Sequence, residues 1–141
     1  MKFAPKSEKE IRDGQFWPNG PYSFEVIERA MLGGREWETC ETRSQEHKKD
    51  MIQLVLRVFR QGEQKVMIDY LMPDVAGKLR HACDACGLLR RYETGEVAAA
   101  DFIGRGGVLR LRIEKDRKGQ YSDRNAVADY VPGSFRSPKA A

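Results

Sequence analysis

From residue 51 to residue 72 the chain alternates apolar and polar side chains, turns once at Gln61-Gly62-Glu63, and alternates again. Successive side chains of a strand point to opposite faces, so a period of two on both sides of a short turn specifies an antiparallel β-hairpin. Residues 51–60 form its first strand, with Ile52, Leu54, Leu56 and Val58 on an inner face and Gln53, Arg57 and Phe59 on the other. Residues 65–72 form its second.

Three more strands follow from the same pattern. Tyr22, Phe24 and Val26 alternate through residues 22–28, after the turn Phe16-Trp17-Pro18-Asn19-Gly20-Pro21. In residues 108–115, Leu109, Leu111 and Ile113 face one way while Arg110, Arg112 and Glu114 face the other, and residues 125–131 supply the last strand. Between the third and fourth strands, Pro73 stops the chain and Asp74 is placed to cap a helix over 75–86 that Gly87 closes. Val75, Leu79, Ala82, Cys83 and Cys86 share one face of that helix. Residues 33–50 read as a long charged connection, and 90–104 as a turn and a short helical stretch. A mainly β chain of five short antiparallel strands with one helix between strands three and four has the order of the OB-fold, a five-stranded barrel. At 141 residues one such domain accounts for 16–131, between mobile arms at 1–15 and 132–141.

Charge is distributed unevenly. Residues 101–141 hold nine Lys and Arg against five Asp and Glu, whereas residues 1–100 hold sixteen of each, so the net +4 falls in the last third. There Arg110 and Arg112 on strand four, the turn cations Lys115, Arg117 and Lys118, and Arg124 accompany Tyr121, a basic hairpin with an aromatic near its tip. Phosphates attract the cations and bases stack on the ring, so this composition suits a nucleic-acid backbone; a solvated edge strand guarded by cations would look similar. Lys48 and Lys49 close the charged connection, Trp37 lies within it, and Arg57 with Phe59 puts a cation and an aromatic on strand two. Trp17 reads as packing.

Other chemistry finds less support. Cys83 and Cys86 form a Cys-x-x-Cys pair, yet a zinc site needs a second close pair, and Cys40 and His47 are single and distant. Gly104-Arg105-Gly106-Gly107 lacks the following Gly-Lys-Ser/Thr of a phosphate loop and precedes a strand, which makes it a turn. No nucleophile motif accompanies His47 or His81, and the carboxylates are scattered, so the sequence makes no case for an enzyme, a metal or a cofactor. A polar N-terminus and the lack of a long apolar run suggest a soluble, intracellular protein with no membrane partner.

The segments FWPNGPYSFEVIERA, HKKDMIQLVLRVF, KVMIDYL, AGKLRHACDACGL, DFIG and GQYSDRNAVADYVP occur in that order across residues 16–132. Together they resemble a family of phage and prophage proteins described as single-stranded DNA-binding proteins. The resemblance implies an OB-fold, a role in phage replication or recombination, and a site in the bacterial host cytoplasm. The chain ends SFRSPKAA, which is basic, where many single-strand binding proteins carry an acidic recruiting tail. The expected function is binding of single-stranded DNA with little sequence specificity, with replication or recombination proteins as further partners and a homo-oligomer possible. The alternative is a phage accessory protein that uses the barrel as an interaction module for a recombinase or polymerase.

Overall fold

The computed structural model of the chain describes residues 1–8, 16–46, 48–114 and 124–136. Its elements run β1 (Gly20–Ile27), β2 (Arg29–Leu32), β3 (Arg35–Glu38), β4 (Cys40–Arg43), β5 (Asp50–Arg60), β6 (Glu63–Leu71), α1 (Ala76–Ala85), α2 (Leu89–Thr94), α3 (Ala99–Phe102), β7 (Gly106–Glu114) and β8 (Arg124–Tyr130). The protein is mainly β and its strand pairings are antiparallel.

The β5–β6 hairpin forms as its alternation requires, with Ile52 opposite Leu71 and Arg60 opposite Glu63. Ile52, Leu54, Leu56 and Val58 are buried in the core with Phe24, Val26, Leu109, Leu111 and Tyr130. Val55, on the opposite face, is also fully buried, because Thr39 and the end of β3 lie against β5 there. β1 is central: one edge pairs β5, with Ser23 opposite Phe59, and the other pairs β7, with Ser23 opposite Val108.

The charged connection expected over 33–50 carries secondary structure instead. β4 pairs β5 through Cys40 opposite Gln53, on the same edge that β1 occupies from Ile27 opposite Val55. β1 and β4 thus lie end to end along β5, and residues 28–38 leave that line and return as the β2–β3 hairpin. Gly33 and Gly34 both adopt positive φ, 62° and 75°, as a two-residue hairpin turn requires. At the hairpin's base the Thr39 N–H donates to Glu28 O at 2.9 Å. The Thr39 hydroxyl donates to Ile27 O at 2.8 Å and accepts from the Val55 N–H at 3.0 Å, so a side chain completes the ladder where the backbone departs.

The sheet is open: β6 lies on β5 at one side and β8 on β7 at the other, and no ladder joins β6 to β8 among the described residues. Strand pairing therefore does not close the expected five-stranded barrel. Charged side chains at inward positions of β6 account for the gap. Lys65 and Asp69 sit opposite the buried Val58 and Leu54, and an ionised group at the core edge must reach a partner or solvent. Side chains span the seam instead. Lys65 Nζ donates to Asn125 Oδ1 at 2.8 Å, Tyr130 Oη donates to Asp69 Oδ2 at 2.7 Å, and Lys78 Nζ from α1 donates to Asp69 Oδ1 at 2.8 Å.

On α1, Ala82, Cys83 and Cys86 are buried as their spacing predicts, but Val75 is 45% exposed and sits at the cap position ahead of the helix. Asp74 does not cap: its carboxylate pairs with Lys49. Gly87, at φ 71°, closes the helix, with its N–H on Asp84 O and the Leu88 N–H on Cys83 O. Gly106 and Gly107 lie within β7 rather than in a turn, and a Cβ at Gly106 would come 2.1 Å from Phe24 O. The two glycines serve close strand packing. Trp17 is buried, its backbone N–H and C=O both held at 2.9 Å by the Asn125 amide. Beyond β8, Arg136 bridges to Gly106, and the Ser134 hydroxyl accepts from the Val108 N–H.

Candidate nucleic-acid interface

Along the open seam runs a groove of about 640 Å³, walled by Lys65–Tyr70 of β6 and Arg124–Val127 of β8. Arg112 and Glu114 of β7, Lys78 of α1, Leu32 and Trp37 of the hairpin, and Phe16 complete its lining. Four cations, Lys65, Lys78, Arg112 and Arg124, thus face two carboxylates, Asp69 and Glu114.

The four cations are not equivalent. Lys78 is committed to Asp69, a pair whose side chains are 21% and 12% exposed. Lys65 is half-buried, held by Asn125, and burial lowers its pKa. Arg112 and Arg124 both lean on Glu114, at 3.6 and 3.3 Å, with side chains 55% and 74% exposed. Two guanidinium groups over one carboxylate leave a net positive charge at the groove mouth, where a phosphate can be bound bidentately.

Trp37 gives the groove an aromatic surface. Its indole Nε1 donates to Leu32 O across the hairpin at 3.2 Å, which fixes the ring, and the Arg35 guanidinium lies 4.0 Å from the ring centroid.

Of the residues marked in the sequence, the groove therefore gathers Trp37, Arg112 and Arg124. Arg110, two residues before Arg112 on the same exposed face of β7, extends the arginine row along the strand, opposite Pro21 of β1. Arg57 and Phe59 sit on the outward face of β5, opposite Glu25 and Ser23 of β1. Lys48 and Lys49 are not brought to this site. They precede β5 and line no part of the groove. The Lys49 ammonium is paired with Asp74. Lys115, Arg117, Lys118 and Tyr121 lie outside the described residues, as does His47.

The sequence reading missed Lys65, Tyr70, Lys78 and Phe16 as groove residues. A signal for the first was present: Lys65 and Asp69 share a strand face with the buried Met67 and Leu71. Charges at core-facing positions mark a place where the core opens.

Cys83 and Cys86 are buried thiols, and burial pushes their pKa values up to about 11 and about 12. His81 Nδ1 lies 3.0 Å from both Asp129 oxygens, a contact that ties α1 to β8. Among the described residues no three His, Cys, Asp or Glu side chains group as metal ligands, and no helix is long and apolar enough to cross a membrane. Compared with known proteins, the chain matches no family model, no curated protein and no solved structure.

Proposed function

We propose that the chain binds single-stranded DNA with little sequence specificity, on an OB-type barrel, and acts in phage-type replication or recombination in the cytoplasm of a bacterial host. The observation that carries this reading is the pairing of Arg112 and Arg124 over the single carboxylate Glu114, at the mouth of a groove that also holds Trp37. The helices fall after β6 and before β7, and β1 pairs both β5 and β7, an order that supports the OB assignment. The resemblance of the six segments to phage single-stranded DNA-binding proteins points the same way.

In this mechanism Arg112 and Arg124 each release part of their hold on Glu114 to take a phosphate, and Arg110 continues the track along β7. Bases stack on Trp37. The basic residues Lys115, Arg117 and Lys118 follow β7 directly in sequence and add positive charge to that stretch of the chain. Guanidinium groups read phosphates and ring faces accept any base, so affinity depends little on sequence.

Fluorescence anisotropy with a labelled oligonucleotide, single-stranded and duplex, across a salt series tests the reading. Log affinity for the single strand is expected to fall with log salt by about 0.7 per phosphate contact. Changing Arg112 and Arg124 together to Glu is expected to weaken binding roughly tenfold or more, about 1.4 kcal/mol. A flat salt response, equal affinity for the duplex, or a double variant that binds like the wild type would defeat it. The alternative of a protein-interaction module for a recombinase or polymerase would then stand.

A further inference from the structure

A second groove, of about 780 Å³, lies between the β4–β5 corner and the α1–α2 corner and shares no residue with the first. Its floor is apolar, with Ile52, Leu71, Leu79 and Val97 beside the ring of Tyr92. Its rim is acidic: Glu41, Asp50, Glu93 and Glu96 line it against one guanidinium, Arg80, which lies 5.5 Å over the Tyr92 ring. Two of these carboxylates are engaged within the fold. Glu41 accepts the Ala99 N–H at 2.7 Å, and Asp50 is paired with Arg43 at 2.9 Å. The carboxylates of Glu93 and Glu96 have no ion-pair or hydrogen-bond partner among the described residues.

Such a groove repels phosphate and suits a segment that carries an apolar side chain between cations. The chain itself contains one. Met1-Lys2-Phe3-Ala4-Pro5-Lys6 sets Phe3 between Lys2 and Lys6, and Phe3 is 73% exposed and Met1 fully so. No residue of 1–8 lines the groove of the same molecule. We propose that this groove receives the 1–6 segment of a second copy, with Phe3 on the apolar floor and Lys2 and Lys6 against Glu93 and Glu96. The cationic groove stays free, so a chain can hold its neighbour and a nucleic acid at once.

Sedimentation velocity of the full chain, without nucleic acid and at rising concentration, tests this independently of the DNA reading. Association is expected at low salt and is expected to weaken as salt screens the carboxylate pairs. Phe3→Ser, and separately Glu93→Lys with Glu96→Lys, should each weaken it by roughly tenfold or more. A chain carrying Lys2→Glu, Lys6→Glu, Glu93→Lys and Glu96→Lys together should associate again, because its charges have exchanged sides. Circular dichroism confirms that each variant is folded. In parallel, a fluorescein-labelled peptide MKFAPKSE should bind the wild-type chain and lose its binding to the Glu93→Lys, Glu96→Lys chain. The proposal is overturned by a chain that stays monomeric up to about 1 mM, by association that these variants leave intact, or by a charge exchange that restores nothing. Peptide binding without self-association would mean that the segment docks in its own molecule, which also overturns the assignment to a second copy.

Discussion

Among the described residues, two breaks in the β-ladder are repaired by opposite means. Where β1 gives way to β4, one neutral hydroxyl on Thr39 serves both Ile27 O and the Val55 N–H, and Thr39 is 8% exposed. Where β6 faces β8, charged and amide side chains cross the gap, Lys65 to Asn125 and Lys78 to Asp69, with the Tyr130 hydroxyl on Asp69 as well. The first repair seals the sheet. The second holds two free strand edges apart and keeps a groove between them. A short neutral bridge excludes ligand and solvent, whereas long charged side chains fill a seam only partly, and the surplus charge at its mouth can recruit an anion.

Substitutions can break this contrast. The largest effect is expected from Asp69→Ala, which strands the buried Tyr130 hydroxyl and leaves the half-buried Lys78 ammonium only its contact with Val127 O at 3.4 Å. Urea unfolding should show a loss of about 3 kcal/mol, and a loss below about 1 kcal/mol would mean that the seam does not depend on its side-chain bridges. Thr39→Val keeps the shape and removes the hydroxyl, leaving a donor and an acceptor unpaired, and should cost about 2 kcal/mol. Thr39→Ser should retain most of that stability; equal losses in the two variants would show that the threonine methyl rather than the hydroxyl makes the repair.

A third test uses pH. Burial raises the pKa of Cys83 and Cys86 from 9.0, and burial followed by Asp69 raises that of Tyr130 from 10.0. All three groups are neutral when protonated. Above about pH 9 the unfolded chain therefore loses protons that the folded chain still holds, and stability declines as pH rises. Replacing both cysteines by Ala should flatten that decline in a urea-denaturation series from pH 8 to pH 11, even though it lowers stability at neutral pH. An unchanged slope would mean that the thiols titrate alike in the folded and unfolded chain. The smallest effect belongs to Lys48→Ala, an exposed residue of the turn between β4 and β5. It should change stability by less than about 0.5 kcal/mol and leave oligonucleotide affinity unaltered, and a clear loss of affinity would return the β4–β5 turn to the interface.

The long strands were legible because each buries one face. β5 and β6 announce themselves by the alternation of Ile52, Leu54, Leu56 and Val58 and by a tight turn, where Gln61 and Gly62 both take positive φ. β3 and β4 were not legible, because Arg35, Glu36, Glu38, Glu41 and Arg43 are all exposed and leave almost no buried face to set a period. The site was legible in part for a related reason. Arg112 and Arg124 lie on neighbouring strands of one hairpin, so their proximity is local, and Glu114 stands directly opposite Arg124. The Lys65–Asn125 contact joins residues 60 positions apart, and nothing in the local pattern of either strand points to the other. Asp74 shows a third limit: its placement before α1 suited a cap, but Lys49 competes for the same carboxylate and wins.

The return of residues 28–38 to their point of departure has a consequence for how this chain can diverge. Because Glu28 O and the Thr39 N–H meet at 2.9 Å, the excursion enters and leaves through a single gate, and the strands on either side keep their register whatever its length. The hairpin is in effect a cassette. A longer or shorter loop grafted between Glu28 and Thr39 would leave the strand register intact and alter what is presented at the rim, as long as it keeps the cover that the end of β3 gives β5. In this chain that cargo is Leu32, Arg35 and Trp37, so the contact surface can be rewritten without refolding the body that carries it.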